Sequence, residues 1–396
     1  MADLLSIDDA IRTVLERVQP LPAERVPIEA AAGRVLAEPA RAAIDLPPFP
    51  SSAMDGFALR AEDTPGTLPV AAAVAAGRPA ERPLRAGEAM AIATGGTVPE
   101  GADAVVPIED VVASDNTIEI PTSAESGAHV RPRGGDVRAG DEVVPAGVRL
   151  TPGRIGALAA SGIGEVACGA RPRAAVLSTG TELQPPGASL GPGQIYEANS
   201  FLLAAALASA GAEVDRLPVA VDDESVHREA LARALEADVV VTSGGVSVGP
   251  HDLVRRIEAE LGVEEVFWGV AVKPGKPVSF GVRGRTVVFG LPGNPVSALA
   301  GFELFVRPAV LKLQGAAEPG PGFLAGRLAR AVRRNPVRDQ LVRARSSVDG
   351  DAVTLDPVTG QESHMIVRAA GADTLALVPR GEGELEAGAA VRYLQL

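Results

Sequence analysis

Four short stretches of the 396-residue chain hold the residues best equipped for chemistry. They are Ser178-Thr179-Gly180-Thr181-Glu182, Asp222-Asp223, Thr242-Ser243-Gly244-Gly245-Val246-Ser247 running on to Asp252, and Leu291-Pro292-Gly293-Asn294-Pro295. Glycines in such loops let backbone N–H groups approach an anion, and a helix that starts there adds positive potential. Ser/Thr-Gly pairs also serve ordinary turns, but all four stretches follow predicted strands. In an open α/β sheet that edge is where ligands bind. Glu182, Asp222 and Asp252 would then face one cleft, and carboxylates beside a phosphate site call for a cation between them, for which Mg2+ is the fitting hard ion. Asp252 could equally cap a helix, and Asp222 could sit against a helix dipole.

Cationic and mixed clusters lie outside those loops. No Asp or Glu occurs between Val266 and Phe302, whereas Lys273, Lys276, Arg283 and Arg285 do. In Lys273-Pro274-Gly275-Lys276-Pro277 the prolines stiffen a loop that can offer two ammonium groups to an anion, or simply form a solvated turn. Ser51-Ser52-Ala53-Met54-Asp55-Gly56-Phe57 is a small-residue loop with one carboxylate, and alone would read as a turn. Arg131-Pro132-Arg133-Gly134-Gly135-Asp136 sets two guanidiniums beside a carboxylate, which suits an oxyanion or a salt-bridged loop. HExxH and Walker A patterns are missing. GxSxG occurs around Ser189 and Ser247, neither at the sharp strand-to-helix turn that a nucleophile elbow needs. Cys168, beside Gly169 and with no nearby His, reads as a buried structural thiol.

The elements that must position these residues change character along the chain. Residues 6–18 predict an amphipathic helix, capped by Ser6, with Asp8 and Asp9 at its positive end and Ile7, Ile11, Val14, Leu15 and Val18 on one face. Short apolar runs between Gly and Pro follow, including a predicted hairpin with Asp115-Asn116 at its tip. From 172 onward, strands at 174–177, 214–221, 239–241, 278–281 and 286–290 alternate with helices after Asn199-Ser200, over 224–235, after Asp252 and from Asn294-Pro295. That alternation predicts a parallel, doubly wound sheet. Strands return after 319. The expected fold is multidomain α/β. A discontinuous N-terminal domain spans 1–44 and 139–171 and a β-rich insertion 45–138. The sheet domain spans 172–318, and a C-terminal β-barrel 319–396.

Composition removes whole classes of function. A net charge of −13 and 3% aromatic residues argue against a nucleic-acid or anionic-membrane binder. The single cysteine excludes an intramolecular disulfide framework and any zinc site built on two or more cysteines. The start, Met1 to Ala10, has three Asp and no basic or apolar region of a signal peptide. The longest uncharged stretch, Thr286 to Phe302, is interrupted by Pro292, Asn294 and Pro295. A cytoplasmic protein is expected.

Seven ordered motifs together resemble the molybdopterin molybdenumtransferase family, MoeA in bacteria and the gephyrin E-domain in animals. They are SAMDG at 52–56, ATGGTVPEGADAVV at 93–106, RPRGGDV at 131–137, STGTEL at 178–183, TSGGVSVGPHD at 242–252, KPGKP at 273–277 and LPGNPVSA at 291–298. The resemblance spans essentially the whole chain. It implies a homodimer whose site lies between the molybdopterin-binding sheet domain of one subunit and the insertion domain of the other. The implied reaction inserts molybdenum from molybdate into adenylylated molybdopterin with release of AMP, assisted by Mg2+. On this resemblance Asp55, Thr94, Arg131, Asp136, Glu182, Asp222, Asp252, Lys273, Lys276 and Ser363 form the catalytic set, with metal held by Glu182, Asp222 and Asp252 and Asp223 the alternative to Asp222. Ser178, Thr179, Gly180, Thr242, Ser243, Gly244, Gly245, Ser247, Pro292, Gly293, Asn294 and Pro295 would bind the pterin–nucleotide. Implied partners are molybdopterin adenylyltransferase and molybdoenzyme-maturation proteins. The chain departs from the pattern at Gly269, where a second lysine is expected. Competing readings are the adenylyltransferase step itself, a tungsten-specific paralogue and a non-catalytic molybdopterin-binding scaffold.

Overall fold

In a computed structural model of the chain, residues 4–220, 223–245, 253–350 and 352–396 are described. Helix α1 (Ile7–Arg17) forms where the apolar period predicts, with the Ser6 hydroxyl accepting the Asp9 N–H at 3.0 Å. Its buried face, Ile7, Ala10 and Val14, joins the core of the sheet domain rather than that of the N-terminal unit. That unit is held by antiparallel strands Ala23–Pro27 and Glu165–Gly169, whose core gathers Val26, Leu36, Leu150, Leu158 and Cys168. Burial raises the Cys168 thiol above its ordinary pKa, in keeping with a structural role.

The insertion is a six-stranded sheet with a separate apolar core on each face. Its hairpin, Val112–Ser114 with Thr117–Ile120, turns at Asp115-Asn116, and Ile118 and Ile120 are buried while their neighbours are exposed. Strand Ser51–Ser52 pairs with Val130–Arg131, so two motifs eighty residues apart become neighbours.

The sheet domain contains β1 (Arg173–Ser178), β2 (Glu213–Arg216), β3 (Val239–Ser243), β4 (Glu264–Trp268), β5 (Ser279–Arg283) and β6 (Thr286–Leu291) in the order β2-β1-β3-β6-β5-β4. Its helices are α2 (Asn199–Ser209), α3 (Glu224–Ala234), α4 (Leu253–Glu260), α5 (Pro295–Gly301) and α6 (Arg307–Leu313). Strand side chains alternate between two cores: Ala174, Val176, Val239, Val241, Val287 and Phe289 face one layer, and Ala175, Leu177, Val240 and Val288 the other. The sheet is doubly wound, with two corrections. Only β2, β1, β3 and β6 run parallel, because Gly284 at φ +60° closes a tight hairpin that makes β5 antiparallel to β6. The strand predicted over 214–221 ends at Arg216, two residues before Pro218, which has no N–H for the ladder.

The C-terminal barrel closes through β7 (Leu324–Leu328), β8 (Asp339–Asp349), β9 (Ala352–Pro357), β10 (Thr374–Val378) and β11 (Ala390–Gln395), with β8 pairing both β9 and β10. Among the described residues no helix is long and apolar enough to cross a membrane.

Candidate functional site

At the carboxyl ends of β1, β3 and β6 three loops enclose a cavity of about 450 Å³. Its wall includes Ser178, Thr179, Gly180, Glu182, Ser243, Gly244, Gly245, Gly293, Asn294 and Pro295. Ten of the residues singled out in the sequence are thus brought together. Asp222, Ser247 and Asp252 lie outside the described residues.

Many backbone donors in these loops are spent on each other. Thr179 N–H donates to Ser243 O (3.0 Å), Gly180 N–H to Ala220 O (3.2 Å) and Gly244 N–H to Leu291 O (3.1 Å). The loops are therefore locked into one rim. The amides of Gly245, Gly293 and Asn294 keep no acceptor among the described residues and are the donors left for an anion. Gly244, at φ +94°, tolerates no side chain, since a Cβ there would sit 2.8 Å from the Thr179 carbonyl.

Several hydroxyls build the floor instead of facing open space. Ser178 Oγ donates to the buried Glu197 carboxylate at 2.9 Å, and Glu197 also accepts the Ser200 amide at 2.7 Å. Asn199 Nδ2 donates to Ser243 Oγ and to the Gly293 carbonyl, both at 2.7 Å, which clasps two loops together and leaves its Oδ1 without a partner. Ser243 Oγ in turn reaches the Pro292 carbonyl at 3.5 Å. Thr242 is fully buried in β3, its hydroxyl on the Phe289 carbonyl.

Glu182 is exposed at the rim, with no ion-pair partner among the described residues. The Asp223 carboxylate is spent capping α3: the Ser225 hydroxyl donates to it at 2.5 Å and the Val226 and Ser225 amides at 3.1 and 2.9 Å, bonds that hold it below the usual carboxylate range. Asn294 stands at the N-cap of α5 and Pro295 at its first turn, but the Asn294 side chain makes no capping bond. The first free amide of that turn, Val296 N–H, donates to the Ser363 carbonyl at 3.1 Å, and His364 joins the cavity wall. A barrel loop therefore completes the site, and Ser363 stands beside the Asn294-Pro295 turn.

Lys273 and Lys276 are exposed in a loop at this same edge, since Ser279, just beyond it, pairs with Gly290. Neither lines the cavity. Arg283 and Arg285 flank the β5–β6 hairpin turn at the opposite end of the sheet, so the acid-free stretch is not one electropositive patch.

A second cluster forms in the insertion. Asp55 accepts the Thr94 amide at 2.7 Å and its hydroxyl at 3.0 Å, bonds that depress the Asp55 pKa. The Ser51–Ser52 pairing sets Arg131 opposite Ser51, exposed and without an ion pair among the described residues, whereas Arg133 is taken up by Asp45 at 2.6 Å. Asp136 is exposed, its amide on the Leu46 carbonyl at 2.9 Å. None of Asp55, Thr94, Arg131 and Asp136 lines the sheet-edge cavity of the same chain.

Glu197, Asn199, His227 and His364 were not singled out in the sequence. In the sequence Asn199 reads only as the start of a helix. A histidine four residues before Leu231 on the inward face of α3 was the available signal for His227.

Three family models match consecutive parts of the chain: "MoeA N-terminal region (domain I and II)" over residues 5–162, "Probable molybdopterin binding domain" over 175–312, and "MoeA C-terminal region (domain IV)" over 325–396. A Mycobacterium tuberculosis protein named molybdopterin molybdenumtransferase 2 is 37% identical over 99% of both chains. A Haemophilus influenzae molybdopterin molybdenumtransferase is 40% identical over 79% of this chain and 78% of its own. A Pyrococcus horikoshii molybdopterin biosynthesis MoeA protein of known structure superposes with a TM-score of 0.85 at 28% identity, covering 100% of both chains.

Proposed function

Since this chain belongs to the MoeA family of molybdopterin molybdenumtransferases, we propose that its sheet-edge cavity takes adenylylated molybdopterin and that molybdenum from molybdate enters the dithiolene as AMP leaves. Molybdenum insertion into molybdopterin is a transferase activity, and the cavity is the observation that carries its placement here. Three interlocked loops leave free amides at Gly245, Gly293 and Asn294 for phosphate oxygens, with a carboxylate, Glu182, at the same rim.

An unpaired, exposed carboxylate oxygen on Glu182 fits a hard divalent cation, and Asp222 and Asp252 are proposed to share it. When bound, Mg2+ would neutralise charge on the phosphates as their bridge is broken. Lys273 and Lys276 are proposed to attract the doubly charged molybdate. The insertion cluster of Asp55, Thr94, Arg131 and Asp136 does not line its own chain's cavity, which supports a homodimer in which each cavity is completed by the other subunit. A cytoplasmic location and hand-over from an adenylyltransferase to maturation proteins follow from the same reading.

The test is direct. Protein supplied with adenylylated molybdopterin, molybdate and Mg2+ is expected to release AMP in step with metal-loaded cofactor. AMP at background level sinks the proposal, and ATP consumption with free molybdopterin would favour the adenylyltransferase step.

A further inference from the structure

His227 is buried to 1% exposure in the first turns of α3, yet it belongs to the cavity wall. Its Nδ1 lies 2.9 Å from the Asp223 carbonyl. A carbonyl only accepts, so Nδ1 carries the hydrogen, and in that tautomer Nε2 is the ring's acceptor nitrogen. Nε2 has no partner among the described residues, and His227 is part of the cavity wall. An acceptor at a cavity wall is matched by a ligand that supplies a donor there.

The surroundings narrow the donor. The Ser178 and Ser243 hydroxyl hydrogens are spent on the Glu197 carboxylate and the Pro292 carbonyl, so neither hydroxyl is a free donor to a ligand. The free amides of the rim are donors and take the acceptor-rich, anionic part of a ligand. Apolar Leu183, Ile195 and Val254 flank the cavity and suit a flat ring. We propose that His227 Nε2 is a specificity-determining acceptor that reads an exocyclic amino group on a planar heterocycle. The inference rests on the cavity's assignment to a pterin–nucleotide, both halves of which carry such an amine: the adenine or the pterin.

Calorimetric titration of the full chain separates the cases. The probes are AMP against purine riboside 5′-monophosphate, which lacks the 6-amino group, and pterin against 4-oxopteridine, which lacks the 2-amino group. Wild-type protein is expected to prefer the amino form of one pair by about tenfold or more, and that pair identifies the source. His227→Leu is expected to abolish that preference, and His227→Gln, which retains an acceptor oxygen, to restore part of it. A wild-type protein indifferent to the amino group overturns the inference even if the Leu variant fails to fold. A Leu variant that keeps the preference, or that weakens both members of a pair equally, also overturns it. Wild-type protein that binds none of the four probes overturns the assignment of the cavity, and the inference with it.

Discussion

Asp55 has both bonds from Thr94 to hold it ionised and fixed, and its exposure means that little of the fold depends on it. Asp55→Ala is therefore expected to lower the molybdenum-insertion rate by about 100-fold or more while moving the melting temperature little. Thr94→Ala removes the hydroxyl bond but keeps the amide bond, so a smaller loss, about tenfold, is expected in the same assay. Near-normal turnover in Asp55→Ala would remove the insertion cluster from the site. At this scale the sequence conveyed which loops matter better than it conveyed which atoms are free. Glycine-rich turns after strands were legible because backbone geometry demands them. That Ser178 is spent on Glu197, or that Asp223 caps α3, depends on neighbours brought in by tertiary packing. His227 and Asn199 were illegible for the same reason, since a lone His or Asn in a helical pattern has no spacing to mark it.

The element that most needs explanation is the barrel loop over 358–365. Arg343, 1% exposed in β8, donates to the carbonyls of Gly360 (2.6 Å), Glu362 (3.2 Å) and Met365 (2.9 Å), while Gln361 accepts the Arg343 amide at 3.0 Å. The loop so fastened delivers Ser363 to the first turn of α5 and His364 to the cavity. Arg343→Met leaves those carbonyls without donors, and we expect a loss of about 2–4 kcal/mol, read from the denaturant midpoint at constant m. Unchanged stability would show that the loop is held by packing alone. Periodicity made the strands and helices legible here, including the hairpin at Asp115-Asn116 and the Ser6 cap. It did not reveal strand direction. Gly284-Arg285 closes a two-residue hairpin, yet in the sequence it looks like another strand-to-strand boundary in a parallel sheet. The apolar face of α1 was equally visible, but its partner, the α6 side of the sheet domain, lies nearly three hundred residues away.

The whole molecule poses the question that one chain leaves open: whether two clusters of matched motifs, one in the insertion and one at the sheet edge, act on one substrate. If each cavity takes Asp55 from the other subunit, the pairing can be tested with two dead proteins. Asp55→Ala and Glu182→Ala homodimers should each be inactive. Subunits of the two, dissociated and mixed in equal amounts, should give hybrids in about half of the dimers. In each hybrid one cavity inherits both lesions. The other joins an intact sheet edge to an intact insertion and should turn over. The mixture should therefore recover about a quarter of wild-type AMP release, falling as either variant is put in excess. A site built within one chain has no such route, because every chain in the mixture then carries its own defect. No recovery, with hybrid formation verified by a mass tag on one variant, would show that the subunits do not share a site.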